Sequence, residues 1–224
     1  MNMKFKYGLV FFFVFSLGVF AQRKDFADVN MDKLLEETQI SSNSDANMEL
    51  VWWIPTEYWQ VAFSQDKSIS KAEREMIINM IKEYVFVVFI KGEIGVFGGI
   101  TYEDKELVRK NSNVFYNGNM LKKIKEKNLP TDLQNMLNLM KPVMKNIIGP
   151  LGENMQFVVF KNDKKNAIDS YKEGTVSFEL FNFKPEVELP LGSLLVEKKC
   201  EEGNKLYNGK WAYCPFHGKE LVSQ

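Results

Sequence analysis

Two periodicities divide the chain. Short runs that are apolar throughout, LVWWI (50–54) and VFVVFI (85–90), or apolar but for Gln156, MQFVVF (155–160), are rich in β-branched and aromatic residues and bounded by turn residues, the pattern of buried strands. TVSFELFNF (175–183) alternates instead, with Val176, Phe178, Leu180 and Asn182 on one side. Between these lie helical stripes. Ser70-Lys-Ala-Glu73 is a capping box that opens a helix with Met76, Ile77, Met80, Ile81 and Tyr84 on one face. Thr131-Asp-Leu-Gln134 repeats the box ahead of Leu133, Met136, Leu137, Met140, Met144 and Ile147, with Pro142 set to bend that helix and Gly149-Pro150 to stop it. A further helix is expected over Met120 to Lys127, and a last strand over about Ser193 to Lys199. Lys91-Gly92-Glu93 is expected to turn the second buried run back onto IGVFGGITY (94–102).

Strands, helices and strands again, without regular βαβ alternation, predict an α+β fold: a mainly antiparallel sheet packed with two or three helices. Residues 48–199 form the expected domain. Residues 22–47, acidic and ending in the polar stretch SSNSDAN, are expected to be a flexible N-terminal segment with one short helix near Asp28 to Thr38.

The N-terminus changes the picture. Lys4 and Lys6 precede an uncharged run from Gly8 to Phe20, and Val19-Phe20-Ala21 places small residues where a signal peptidase reads. The run is 13 residues long, short of the ~20 a span requires. Residues 1–21 are therefore expected to be a cleavable signal peptide, cut at Ala21–Gln22. The mature chain is expected to be exported, to the periplasm or beyond, without stable membrane insertion. Loss of Lys4 and Lys6 takes the 29 basic residues to 27 against 29 acidic ones, a net charge near −2. That balance predicts no nucleic-acid partner. The Lys-rich stretch MLKKIKEKNLP is broken by Glu126 and reads as a solvated helix face.

Catalytic signatures are missing. The chain has no G-x-G-x-x-G, G-x-x-x-x-G-K-[ST], G-x-S-x-G or H-E-x-x-H motif. A Ser-His-acid triad would depend on His217, the single histidine, seven residues from the end. Trp52, Trp53, Tyr58 and Trp59 could stack a sugar, but large aromatics also dominate cores, and adjacent Trp52 and Trp53 face opposite sides of a strand.

Chemistry gathers in residues 200–224. CEEGNKLYNGKWAYCPFHGKEL holds both cysteines and the only histidine. Asn208-Gly209 is a type I′ hairpin signal. Folding about it pairs Leu206 with Trp211, Gly203 with Cys214 and Cys200 with His217, leaving four corners of which three carry metal-competent side chains. Cys200-Glu-Glu-Gly203 and Cys214-Pro-Phe-His217-Gly218 also match each other, and with the paired corners they resemble the two knuckles of a zinc ribbon. The resemblance implies a tetrahedral Zn²⁺ held by Cys200, Cys214 and His217. The first knuckle departs from the pattern, because Gly203 stands where the fourth ligand belongs. Structural zinc sites are normally closed by four protein ligands, so Glu201, Glu202 or water would have to complete this one.

An exported cysteine pair also oxidises readily. A Cys200–Cys214 disulfide would close a loop of about 15 residues and contribute about 3 kcal/mol in the chain-entropy model. It is the preferred expectation, with zinc as the alternative. Functionally, the pattern leads to a non-enzymatic binding or assembly protein with a partner in the cell envelope. The alternatives are a metal-dependent hydrolase using Cys200, Cys214 and His217, and glycan binding through Trp52–Trp59.

Overall fold

The computed structural model describes residues 22–42 and 44–223; the expected signal peptide, residues 1–21, lies outside them. In chain order the elements are α1 (Met31–Thr38), β1 (Gln39–Ser41), β2 (Asn47–Ile54), α2 (Thr56–Gln65), α3 (Lys71–Ile81), β3 (Tyr84–Ile94), β4 (Ile100–Tyr102) and α4 (Lys105–Lys110). There follow β5 (Ser112–Tyr116), β6 (Asn119–Met120), β7 (Lys123–Ile124), α5 (Thr131–Ile148), α6 (Pro150–Glu153), β8 (Gln156–Lys161), β9 (Gly174–Leu180) and β10 (Glu186–Leu189). The tail supplies β11 (Lys198–Cys200), β12 (Lys205–Tyr207) and β13 (Val222–Ser223).

The continuous apolar runs become the centre of one sheet, ordered β1-β2-β3-β8-β7, with β4 beside the far end of β3. Every pairing is antiparallel, with Trp53 opposite Val87 and Val87 opposite Val158. Neighbouring residues of a strand point to opposite faces, so a run without polar positions needs cover on both. Val85, Val87 and Phe89 join one core with Val114, Val176, Phe178 and Leu180 of a second antiparallel sheet, β10-β9-β5-β6. Phe86, Val88 and Ile90 join the other core with Ile81 of α3 and Leu133 and Leu137 of α5. The result is three layers: helices, a central sheet buried on both sides, and a smaller sheet. Trp52 falls in the helical core and Trp53 in the inter-sheet core.

The α+β expectation holds, with a second sheet in place of one. The capping box at Ser70 forms, Glu73 N–H donating to Ser70 Oγ at 3.3 Å and Ser70 N–H to Glu73 Oε2 at 2.9 Å. The one at Thr131 does not: Pro130 takes the cap position and the Gln134 amide donates instead to the Leu129 carbonyl, 2.8 Å. Strand β3 runs straight through Gly92 and turns only at Gly95–Gly99. A Cβ on Gly92 would lie 2.8 Å from Ile100 Cγ2, so glycine there permits the close approach of β4 rather than a turn. The helix expected over 120–127 is replaced by β6, buried Leu121 and β7, because Lys123 and Ile124 pair with Phe160 and Val159 at the sheet edge. Pairing with a neighbouring strand outweighs a weak local preference.

The segment expected to be a loose N-terminal extension is built in. Lys24 N–H donates to the Leu194 carbonyl (2.9 Å), Val29 and Leu34 are buried, and β1 pairs with β2. Among the described residues no helix is long and apolar enough to cross a membrane.

Candidate functional site

The tail folds differently from the expected single hairpin. Asn208-Gly209 is not the tip between paired strands. Strand β11 instead pairs with β12 through a tight turn at Glu201–Asn204, Cys200 lying opposite Lys205, and with β13 on its other edge. Asn204 adopts a positive φ of 49° to close that turn. A second turn is closed by Cys214 N–H donating to the Lys219 carbonyl (2.7 Å), with Gly218 at φ 63°. Each half-motif makes its own knuckle, and Asn208-Gly209 serves as the anchor between them. A Cβ on Gly209 would lie 2.3 Å from the Val196 carbonyl oxygen and 2.7 Å from Leu195 Cβ. Contact with the body, invisible locally, overrides the hairpin preference.

The knuckles bring the expected ligands together. Cys200 Sγ and Cys214 Sγ lie 3.3 and 3.5 Å from His217 Nδ1. The two sulfurs are 3.5 Å apart and both thiols are free, so the preferred disulfide is not formed; a bond would need them at about 2.05 Å. Both cysteines are buried, His217 is exposed, and Leu221 and Tyr207 pack beneath them. Among the described residues these three are the group whose ligand atoms lie within 4.8 Å of one another; Glu201 and Glu202, both exposed, do not join it. The vacant corner has a physical cause. A Cβ on Gly203 would sit 2.8 Å from His217 Cε1, so the imidazole covers the first knuckle where a side chain at 203 would enter.

The electrostatics favour thiolate. Burial pushes the Cys214 thiol up, but the backbone amides of His217 and Phe216, then the Cys200 and Tyr207 side chains, hydrogen-bond its sulfur and bring it down to about 6. Those donors satisfy a buried sulfur anion. Tyr207 shifts upward, through desolvation first and then its bond to Cys214.

The aromatic cluster does not form a platform. Trp52 is 8% and Trp53 2% exposed, Trp59 is half-buried, and the indole N–H groups of Trp52 and Trp59 are buried without acceptors. Tyr58 meets both Trp52 and Trp59 edge-on, centroids 5.5 and 6.3 Å apart. This is core packing, and it removes the stacking surface that glycan binding through Trp52–Trp59 requires.

One feature escaped the sequence reading. A cleft of about 740 Å³ is framed by Arg23, Glu57, Tyr116, Asn117, Asp169 and Tyr171. Burial pushes the Glu57 carboxyl above its usual range, more than the hydrogen bond from Ser170 Oγ (3.0 Å) and the Arg23 charge lower it. Tyr171 is pushed up to about 12, chiefly by burial and then by Glu57, with the Arg23 guanidinium 3.9 Å above its ring. These residues come from four separated stretches with no motif among them, so no local signal announces the cleft.

No family model, curated protein or solved structure matches the chain.

Proposed function

We propose that this is an exported, non-enzymatic binding or assembly protein of the cell envelope whose C-terminal module is stapled by a zinc ion held by Cys200, Cys214 and His217. One observation carries the metal reading: two sulfurs and a ring nitrogen converge at 3.3, 3.5 and 3.5 Å. A tetrahedral ion with bonds of about 2.3 Å to sulfur and 2.0 Å to nitrogen sets ligand–ligand edges of roughly 3.5–3.8 Å. The triangle matches one face of that tetrahedron. The pairing of two knuckles, each closed by its own turn, supports the zinc-ribbon resemblance, and the amides aimed at Cys214 supply the outer hydrogen bonding that ligand thiolates use.

The fourth position is left to water or a partner group. A structural role is favoured over hydrolysis because the side chains packed round the site are aromatic: Tyr207 stacks on Trp211 and lies 6.3 Å from Phe216. No carboxylate joins the cluster to act as a general base among the described residues. The export element rests on residues 4–21.

The test is metal analysis of reduced mature protein with parallel thiol titration. The expected result is one zinc per chain, two thiols titrating only after chelation, and loss of the metal in Cys214→Ser. A reduced protein that takes up no zinc at micromolar concentrations would sink the metal reading.

A further inference from the structure

At the open edge of the central sheet, under α4 and α5, lies a cavity of about 470 Å³, within the range of small-molecule sites. Its walls include Leu129, Leu137, Phe157 and Val159, all of which belong to the helical core. Its mouth is polar and uneven in charge. Glu126 uses both carboxylate oxygens, one on Arg109 Nη2 and one on Lys141 Nζ, each at 3.0 Å. Glu106 stands exposed at the rim with Lys125.

Two lining residues carry donors that are not fully matched. The Arg109 Nε–H is buried and bonds to nothing. The Lys123 ammonium is half-buried and has no carboxylate within ion-pair distance among the described residues. Its one acceptor is the Arg109 carbonyl, at 2.5 Å, which leaves two of its N–H groups free. Desolvation lowers its affinity for a proton. Strand pairing places the side chain: Lys123 of β7 is opposite Phe160 of β8, and its Nζ lies 5.9 Å from the Phe160 ring. A desolvated cation and an orphaned guanidinium N–H both gain from an anionic acceptor, while the wall behind them gains from hydrocarbon.

We propose that this cavity binds an amphipathic carboxylate, its headgroup on Lys123 and Arg109 Nε and its hydrocarbon tail against Leu129, Leu137, Phe157 and Val159. The tail covers an apolar wall. The carboxylate gives the orphaned Arg109 Nε–H an acceptor and half-buried Lys123 an anionic partner. Glu126, already neutralised by Arg109 and Lys141, does not repel it strongly, and it keeps Arg109 Nη2 oriented while Nε is left for the ligand. The assignment is independent of the tail module and its metal.

The experiment is calorimetric titration of the mature chain with octanoate, 1-octanol and acetate. Octanoate is expected to bind at one site at least tenfold tighter than either of the others, since octanol lacks the charge and acetate the tail. Lys123→Met is expected to remove the advantage of octanoate over octanol while leaving octanol unchanged; Lys123→Arg should keep it. A Lys123 that merely ties down the Arg109 carbonyl would produce no such split. Methyl NMR of the unaltered protein covers the case in which a variant fails to fold, with octanoate shifting Leu129, Leu137 and Val159. Octanoate binding no tighter than octanol or acetate, equal binding by folded Lys123→Met, or methyl shifts confined elsewhere would each overturn the assignment.

Discussion

Replacing Gly203 by alanine is the sharpest probe of the tail module. The added methyl would stand 2.8 Å from His217 Cε1, where ordinary contact begins near 3.4 Å. The ring must therefore retreat by about 0.6 Å, roughly three times the ±0.2 Å within which metal–ligand distances are held. Gly203 has no left-handed backbone angle, so alanine adds no backbone strain, and exposed His217 can move without disturbing the core. The damage should fall on the ligand set alone. The expected effect is a 10–100-fold loss of zinc affinity, the size seen when the support of a ligand is removed. The assay is competition against a chromophoric chelator under reducing conditions, beside thermal melts of the metal-free forms. Metal-free melting should be unchanged within about 0.5 kcal/mol, as for other surface substitutions. Undiminished zinc binding by Gly203→Ala would refute the claim that His217 both ligates the ion and fills the empty corner.

Two other outcomes follow from burial. Glu57 has a folded-state carboxyl pKa raised above its ordinary value near 4.5, first by desolvation. The folded state holds that proton more tightly than the unfolded chain, so ionisation removes stability as pH rises from about 4.5 through the raised value. Glu57→Gln keeps an acceptor for Ser170 and does not titrate. Its stability relative to wild type should therefore rise between about pH 4 and pH 7 in urea melts, and an equal offset at both would contradict the assignment. Phe178, 1% exposed between the two sheets, should cost about 3–5 kcal/mol as Phe178→Ala, lowering Tm by roughly 6–20 °C by calorimetry; a loss under about 1 kcal/mol would mean the sheets are not packed there.

The candidate metal site was legible in part. Cys200, Cys214 and His217 stood out because they are the chain's only thiols and imidazole, gathered in one short stretch, and the structure brings those three together. The route by which they meet was misread. Asn208-Gly209 favours a hairpin turn on its own, yet Gly209 is pressed against Val196 and Asn208 lies on Gly192, so the loop became an anchor and two smaller turns did the folding. The disulfide expectation followed from compartment chemistry, while the geometry leaves both thiols free at 3.5 Å, with a ring nitrogen equally near.

The sequence by itself determined which segments must be buried on both faces, because apolar side chains at every position of VFVVFI, and of FVVF at 157–160, leave no side for water. It also determined that Trp52 and Trp53 part to opposite cores, since strand geometry alternates without regard to context. Only the tertiary structure decided that residues 119–124 join strands rather than a helix, that the N-terminal segment completes the inter-sheet core, that Arg109 Nε is left without an acceptor and that Lys123 is left without a carboxylate partner. Those outcomes depend on partners distant along the chain: Phe160 opposite Lys123, Leu194 beside Lys24. Local patterning reports how much of a side chain must leave water; which neighbour covers it, and which donor goes unmatched, is settled when the layers close.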